Sequence, residues 1–591
     1  MNQGNIRRLL TLLFLWIAAL LIYYPSLHRS FIYDDILVIR DNDFITHPGN
    51  LLRLYGTEYL RAAGEQTYRP LVTASYFFDY WIWHKAPFGY GLTNLLLHVL
   101  SAWLLGLILL RMLPERQDIA FWSAVFYLSH PALVEAVISP GNREEILSVF
   151  LLLLSAWFWF KGQDGSRSGK IISPCILFLS LLVQEWGVIL PVLLAFSAII
   201  QGKKVREAVA AISHQLAVAA LYLILMITVF PKTQTDTEWL GGGPFGGLLV
   251  FGTLFWKYVR LELLPFDLRP TYIYSVPPLL ARLAGLIGLL LSSLIALWGL
   301  MKCKPWALGM AVFGMALLPV SHVFMPFWIP MAERYLVLPL LGGIPLLAAV
   351  VFFRRTRASA IIAGLIALFF ALGAGARAHD WRDGLVFWQK AAILEPSDMT
   401  NWTNLGASFA MHGQYPQALA AHRRAWDLAR KANSETPEKP INVANALTAV
   451  GQKAEACRLL LNEQLQFGTN RDFVLALGRQ CGATDREASE KAFGRILRQE
   501  PDNCEVWADY CGVTPSSRVA CLQQAIPRCP QDGRLWLLVA AVHAQGGDQS
   551  KTVTALQKAL LSPQRLLILP RVNDVITLLR THKATIVDHQ N

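Results

Sequence analysis

Two adjacent carboxylates, Asp34 and Asp35, lie in the stretch Phe31-Ile-Tyr-Asp-Asp-Ile, a few residues after an apolar run at 9–24. Carboxylates this close disfavour each other's ionisation. Held at a membrane edge, such a group suits a general base that meets its substrate at the bilayer surface. A solvated acidic loop is the plainer alternative, and the rest of the chain decides between them.

Further ionisable residues lie outside the apolar runs or at their outer ends: Tyr68-Arg69 in the first loop, His130-Pro131 with Glu135 within the run at 119–139, and Asn142-Arg143-Glu144-Glu145, Gln184-Glu185 and Ala332-Glu333-Arg334 in turns. At the ends of membrane crossings such groups are costly unless paired or used. Guanidinium groups match phosphate oxygens with paired hydrogen bonds, which makes Arg69, Arg143 and Arg334 candidate phosphate ligands. Tyr68, His130, Glu135, Glu145, Glu185 and Glu333 are candidates to line the same site. For any one of them a structural ion pair is the competing explanation. Their collection on one face favours a site.

The elements that position these residues follow from composition. Of 591 residues, 54% are hydrophobic and 16% charged, too apolar for a soluble chain of this size. Apolar blocks alternate with short polar loops up to about residue 378; beyond it, charge rises and Gly and Pro punctuate helical patterns. The net charge of +12 does not indicate nucleic acid. Many basic residues sit in short loops between apolar runs: Arg7 and Arg8; Arg111 and Arg116; Lys161, Arg167 and Lys170; Lys203, Lys204 and Arg206; Lys302 and Lys304; Arg354, Arg355 and Arg357. These loops are assigned to the cytoplasm by the positive-inside rule. Bulky Tyr23, Tyr24 and Phe31 after the first run give no cleavage site, so it reads as a retained anchor.

With those loops inside, about eleven crossings are expected, near 9–24, 92–113, 119–139, 145–161, 171–184, 186–201, 208–230, 279–301, 306–324, 335–353 and 358–377. Residues 246–264 carry Lys257, Arg260 and Glu262, and read as a helix in the outer interface. The N-terminus is then cytoplasmic, and the C-terminal part and the loop at 25–91 lie outside. That loop ends in Tyr76, Phe77, Phe78, Tyr80, Trp81 and Trp83, an interfacial aromatic cluster.

Five stretches in order resemble the transmembrane and tetratricopeptide-repeat-containing protein O-mannosyltransferases, within the lipid-dependent membrane glycosyltransferases of the C-type (GT-C) fold. They are FIYDDILVIRDN at 31–42; YRPLVTASYFFDYW at 68–81 with GLTNLLLHVLSAWLL at 91–105; FYLSHPALVEAV at 126–137 with NREEIL at 142–147; PFDLRPTYIYS at 265–275; and MAERYLVLP at 331–339. The resemblance implies an all-α polytopic membrane domain over 1–378 and a tetratricopeptide-repeat solenoid over 379–591. It implies transfer of a sugar, typically mannose, from a polyprenyl-phosphate carrier to Ser or Thr hydroxyls of an acceptor protein, with inversion. Asp34 or Asp35 would be the base, with Asp34 favoured. Arg69 and Arg334 would bind the donor phosphate, and His130, Glu135, Arg143 and Glu145 would line or brace the site. Monophosphate donors of this type generally work without a metal, so no cofactor is expected; a pyrophosphate donor would call for a divalent cation. The chain departs from the family pattern at Val183-Gln184-Glu185, where relatives have Ser-Lys-Glu, and at 142–145, where they have Gly-Arg-Ala-Asp. Both departures bear on the identity of donor or sugar.

Repeats are expected from about residue 383. Trp402, Leu405, Gly406, Phe409, Gly413, Ala418 and Ala425 keep the spacing of a tetratricopeptide helix pair, and Gly451 and Ala456 repeat it. Trp507 and Trp536 open two further copies. About four to five repeats would form a short curved solenoid whose concave face is the natural place for an acceptor peptide. Six of the eight cysteines lie here, at 457, 481, 504, 511, 521 and 529. An even number in an external domain points to disulfides in one of fifteen pairings. Two other functions fit the same elements: transfer from a lipid-pyrophosphate oligosaccharide or to a glycan or lipid, and a membrane-tethered scaffold with an inactive membrane part. Endoplasmic reticulum and bacterial inner membrane share this topology, and the compact chain with few repeats leans to the bacterial one.

Overall fold

The computed structural model describes residues 3–56, 59, 68–230, 239–272, 275–324, 329–514, 517–562 and 565–588. Residues 57–58 and 60–67 of the long first loop, and Ile273 and Tyr274 of the 265–275 stretch, lie outside the described residues. Helices dominate, and no strand occurs among the described residues. The chain divides into two compact units, Met1–Glu395 and Pro396–Asn591.

In the first unit every expected apolar run falls on a helix. Among the described residues, five helices are long and apolar enough to cross a membrane unbroken: Gly4–Leu27, Pro87–Met112, Pro140–Gln163, Leu279–Met301 and Arg357–Asp380. Two more runs are bent pairs, Gln117–Ser129 with Pro131–Ile138 at 51° and Val205–Ala211 with Ser213–Thr228 at 60°. The other four are shorter helices: Arg167–Leu181, Glu185–Ile200, Pro305–Ala316 and Leu340–Val351. Hydropathy overstates their length because it ignores turn chemistry. At 306–324 the helix stops at Ala316 and turns follow, and at 335–353 a short 3-10 turn, Glu333–Leu336, precedes the helix. Large apolar side chains point outward along these helices, among them Leu280, Ile287, Leu291, Leu294 and Trp298. Water would not tolerate such a surface, whereas lipid does, and the chain is a membrane protein.

Small residues let helices meet at the backbone, the mode of packing expected in lipid. Residues 246–264 belong to one helix, Pro244–Leu263, whose Gly252 meets Gly285. A Cβ on Gly252 would lie 2.5 Å from the Leu286 nitrogen. Within Pro70–Trp83 the aromatic cluster is split: Tyr76 and Phe77 are buried, while Phe78 and Trp81 are exposed.

The second unit is a run of five helix pairs: Met399–Met411 with Tyr415–Lys431, Glu438–Ala449 with Lys453–Phe467, Arg471–Cys481 with Arg486–Gln499, Cys504–Val513 with Arg518–Arg528, and Gly533–Gln545 with Gln549–Leu560; Arg565–Asp588 follows. Side chains of Asp398, Asn470, Asp485, Asn503, Asp532 and Asp548 accept from the first free N–H groups and fix where their helices start. Gly413 and Gly451 take positive φ in the turn between paired helices. A register mark recurs at three pairs. The indoles of Trp402, Trp507 and Trp536 donate to the carbonyls of Pro396, Pro501 and Pro530, at 3.0, 2.7 and 2.7 Å. Repeats are expected from about residue 383, and the helix Gly384–Leu394 groups with the first unit. Its Phe387 lies 4.3 Å from the buried ring of Trp381.

All six solenoid cysteines pair, as Cys457–Cys481, Cys504–Cys529 and Cys511–Cys521. Cys175 and Cys303 are free and exposed. Alkylation of the unreduced, detergent-solubilised protein should therefore modify only those two, read by mass spectrometry. Replacing Cys457 and Cys481 together by Ser should lower the solenoid's unfolding free energy by about 2–4 kcal/mol in a denaturant titration.

Candidate active site

The site begins at the loop that leaves the first long helix. Asp35 is fully buried and committed to that loop. It pairs with Arg29 and accepts from Ser139 Oγ at 2.9 Å, from the Gly141 N–H at 2.7 Å and from the Ile32 N–H at 3.3 Å. A Cβ on Gly141 would lie 3.0 Å from the Asp35 carboxylate, so glycine is what lets the backbone come this close. With both oxygens engaged, Asp35 ties 29–35 to 139–141. It has no lone pair left for a substrate proton, which corrects its candidacy as a base.

Asp34 is the reverse case. It is half-buried, and its carboxylate accepts no hydrogen bond among the described residues. Burial raises its pKa to about 6; Arg334 works against that rise, and Asp35, Glu144 and Glu135 add to it. The residue before it, Tyr33, has φ +59, a conformation rare for a non-glycine residue.

Arg334 sits in the short turn Glu333–Leu336, and its guanidinium lies over the Tyr335 ring at 5.5 Å. Nη1 donates to Glu135 at 2.5 Å, and the Arg334 backbone N–H donates to the same carboxylate at 3.3 Å. Glu135 is delivered by the bend between Gln117–Ser129 and Pro131–Ile138. Arg69 caps the other flank: Nη1 donates to Glu144 at 2.8 Å, and Nη2 lies 4.0 Å from the half-exposed Glu185. Glu145 is buried within electrostatic reach of Arg69 and Arg334. Tyr68 packs between Tyr59 and Phe230, at 5.7 and 4.8 Å. Asp34, Glu135, Glu144, Glu145, Arg69 and Arg334 thus form one polar cluster, supplied by five separate stretches of chain.

Besides Asp35, three expected site residues are committed to the framework around the cluster. Arg143 has no exposure. It donates to Asn94 at 2.7 Å, Ser75 at 3.0 Å and the Tyr90 carbonyl at 3.2 Å, and it pairs with Asp79 at 2.5 Å. These contacts commit it to bracing helices. His130 uses both ring nitrogens on backbone, accepting from the Ala132 N–H at 3.3 Å and bonding the Glu262 carbonyl at 3.0 Å. Glu333 accepts twice from Arg377 at 3.0 Å and once from Tyr272 at 3.0 Å. It anchors the turn that carries Arg334. Arg29, Tyr33 and Arg377, which sequence reasoning passed over, are parts of this framework. Arg29 alone left a signal, a cation six residues from a carboxylate pair. Among the described residues no group of three or more His, Cys, Asp or Glu is arranged to hold a metal ion.

The arrangement places a carboxylate that accepts no hydrogen bond among the described residues within electrostatic reach of the Arg334 guanidinium, with Arg69 held in the same cluster by Glu144. It can accept a proton and stabilise an anion in the same space. No family model matches the chain. It is similar to Protein O-mannosyl-transferase Tmtc1 of Drosophila melanogaster, 28% identical over 278 residues, 44% of this chain and 28% of that one. It is also similar to a Caenorhabditis elegans protein O-mannosyl-transferase, 22% identical over 70% of this chain and 61% of that one, and to human TMTC3, 20% identical over 71% and 52%. The matches span between about a quarter and three fifths of the length of these relatives. The crystal structure of yeast Tom70 aligns over 84% of the chain at 11% identity and a TM-score of 0.26, too low to inform the fold.

Proposed function

We propose, from similarity to protein O-mannosyl-transferases, that this membrane protein transfers a sugar, most simply mannose, from a polyprenyl-phosphate carrier to Ser or Thr hydroxyls of proteins. The observation that carries the proposal is Asp34, the cluster's carboxylate with no hydrogen-bond donor among the described residues, facing Arg334. An acceptor hydroxyl attacks the anomeric carbon and gives its proton to the Asp34 carboxylate as the new C–O bond forms. The bond from that carbon to the phosphate oxygen breaks, its electron pair stays on the polyprenyl phosphate, and configuration at the carbon inverts. Arg334 and Arg69 stabilise the negative charge that grows on the leaving phosphate. Glu135 and Glu144 hold those guanidiniums in place, and Asp35 fixes the loop under Asp34.

The reaction faces the outer or lumenal side of the membrane. Three disulfides support an oxidising compartment for the solenoid. The solenoid's part is to recruit the acceptor protein.

The test is transfer by the purified full chain from radiolabelled polyprenyl-phosphate mannose to an acceptor-protein lysate, with and without EDTA. Label on Ser or Thr that survives EDTA supports the reading. Label that requires a divalent ion would overturn the metal-free part of the reading. An absence of label together with retained binding of partners favours the scaffold.

A further inference from the structure

The helix Gly384–Leu394 follows the last long helix and belongs to the first unit. It is firmly seated. Asp383 caps it by accepting from the Leu385 N–H at 2.6 Å, Lys390 reaches Asp380 at 2.5 Å, and Glu395 at its end pairs with Arg269. Phe387, Trp388, Ala391 and Ala392 are buried on one face.

The loop carrying Asp34 meets this part of the chain at two points, one just before the helix and one on its buried face. The Ser30 N–H donates to the Arg382 carbonyl at 3.2 Å. The Tyr33 and Trp388 rings meet edge to face, with centroids 5.6 Å apart at 62°. Tyr33 is also the residue held at φ +59. A conformation of this kind costs on the order of 1–3 kcal/mol and persists only where surrounding contacts impose it. On the other side of Asp34, Asp35 is held by Arg29, Ser139 and Gly141. Both neighbours of Asp34 are therefore fixed, one from the middle of the unit and one from its end.

We propose that Trp388 is a positioning residue for Asp34. By holding Tyr33 in its strained conformation, the helix Gly384–Leu394 aims the base at the space in front of Arg334, and this helix is part of the transfer site and not of the solenoid. The proposal rests on the function proposed above for the reaction, and on geometry alone for the clamp. The groups that face Asp34 are Arg334, Asp35, Glu144 and Glu135, from three other parts of the unit and from its own loop. A small rotation of the loop changes its distance to all of them and its burial together. Misplacement of a reacting group by about 1 Å costs on the order of a hundredfold in rate.

The test compares Trp388→Ala, Trp388→Phe and Phe387→Leu in the full-length protein. Two readouts are taken: mannose transfer, and labelling of Asp34 by a hydrophobic carbodiimide as a function of pH, located by mass spectrometry. The carbodiimide reacts with the protonated carboxyl and needs no turnover. In Trp388→Ala, transfer should fall at least tenfold with little change in donor KM, and the labelling midpoint should drop by about one pH unit as Asp34 gains water. Trp388→Phe keeps an aromatic edge and should match the wild type in both. Phe387→Leu keeps the Trp388 indole against Tyr33 and removes the ring packed behind it at 4.8 Å and against Trp381 at 4.3 Å; its melting temperature should fall while its labelling midpoint stays. An unchanged midpoint in a folded Trp388→Ala protein would overturn the proposal. So would an equal shift in Phe387→Leu, which would mean general loosening. If Trp388→Ala does not fold, Trp388→Leu takes its place under the same criteria. If the wild type transfers nothing, the proposed reaction fails, and labelling still decides the clamp.

Discussion

Asn in place of Asp34 should cut transfer by about 10²–10⁴-fold with donor KM nearly unchanged, because the carboxylate acts only as the hydroxyl's proton leaves. The same variant should be more stable than the wild type at neutral pH. Asp34 has its pKa raised to about 6 by burial, from an ordinary 3.8. The folded state thus holds a proton between about pH 4 and 6 that the unfolded chain has lost, and ionising Asp34 weakens the fold as pH rises through that window. Asn removes this cost above pH 6, so its melting temperature should rise there while activity disappears. In the wild type, activity should fall as pH drops through about 6, where the base takes up a proton. Asp35→Asn should behave oppositely. It leaves the Arg29 guanidinium buried without its counter-charge, and stability should fall by about 3–5 kcal/mol. A stable, inactive Asp34→Asn beside an unstable Asp35→Asn separates the two carboxylates by thermal unfolding and a single transfer assay. Full activity in Asp34→Asn would remove Asp34 from the mechanism.

Arg334→Ala is the second large effect, and it has two parts. Loss of a charge that stabilises the departing phosphate should lower kcat by about 10²–10³-fold. Loss of the partner of Glu135, which is nearly fully buried, should destabilise the fold by about 3–5 kcal/mol. Adding Glu135→Gln to Arg334→Ala should restore most of the stability and none of the rate. Arg334→Lys should keep the fold and recover only part of kcat, since an ammonium supplies charge without the paired N–H geometry. If the double variant regained transfer, Arg334 would be a structural residue only.

How much of this was legible in the sequence depends on the range of each interaction. Hydropathy is a local property, and every apolar run it picked out falls on a helix, though it passed over the apolar helix Gly384–Leu394. It could not show that 119–139 bends at His130-Pro131 or that 306–324 stops at Ala316. The solenoid was legible because each helix pair repeats locally, down to Gly413 and Ala418; the Pro396–Trp402 mark recurs at Pro501–Trp507 and Pro530–Trp536 and was readable once the repeats were aligned. The site was legible in membership and not in roles. Asp34 and Asp35 are identical in composition and adjacent in sequence. What separates them is Ser139 and Gly141, more than a hundred residues away. Arg143 and Arg334 look alike as arginines beside acidic turns, yet Asp79, Asn94 and Ser75 close one and leave the other facing Asp34. Tyr33 and Trp388 gave no signal at all, since a positive φ on tyrosine and a contact across the unit are properties of the folded chain.

The bond from Ser30 to Arg382 joins the first loop made to the last part of its unit made. Chains emerge from the ribosome at about 5–20 residues per second, N-terminus first. The loop with Asp34 is therefore in the membrane for tens of seconds before Trp388 exists to meet Tyr33. Throughout that interval Asp35 can be held by Arg29, Ser139 and Gly141, while Tyr33 still lacks the ring it packs on and the nascent chain carries a base without an aim. Assembly of the site is thus tied to completion of the membrane unit: a chain that stalls at the ribosome short of residue 388 carries every charged residue of the cluster and still lacks the ring that aligns them.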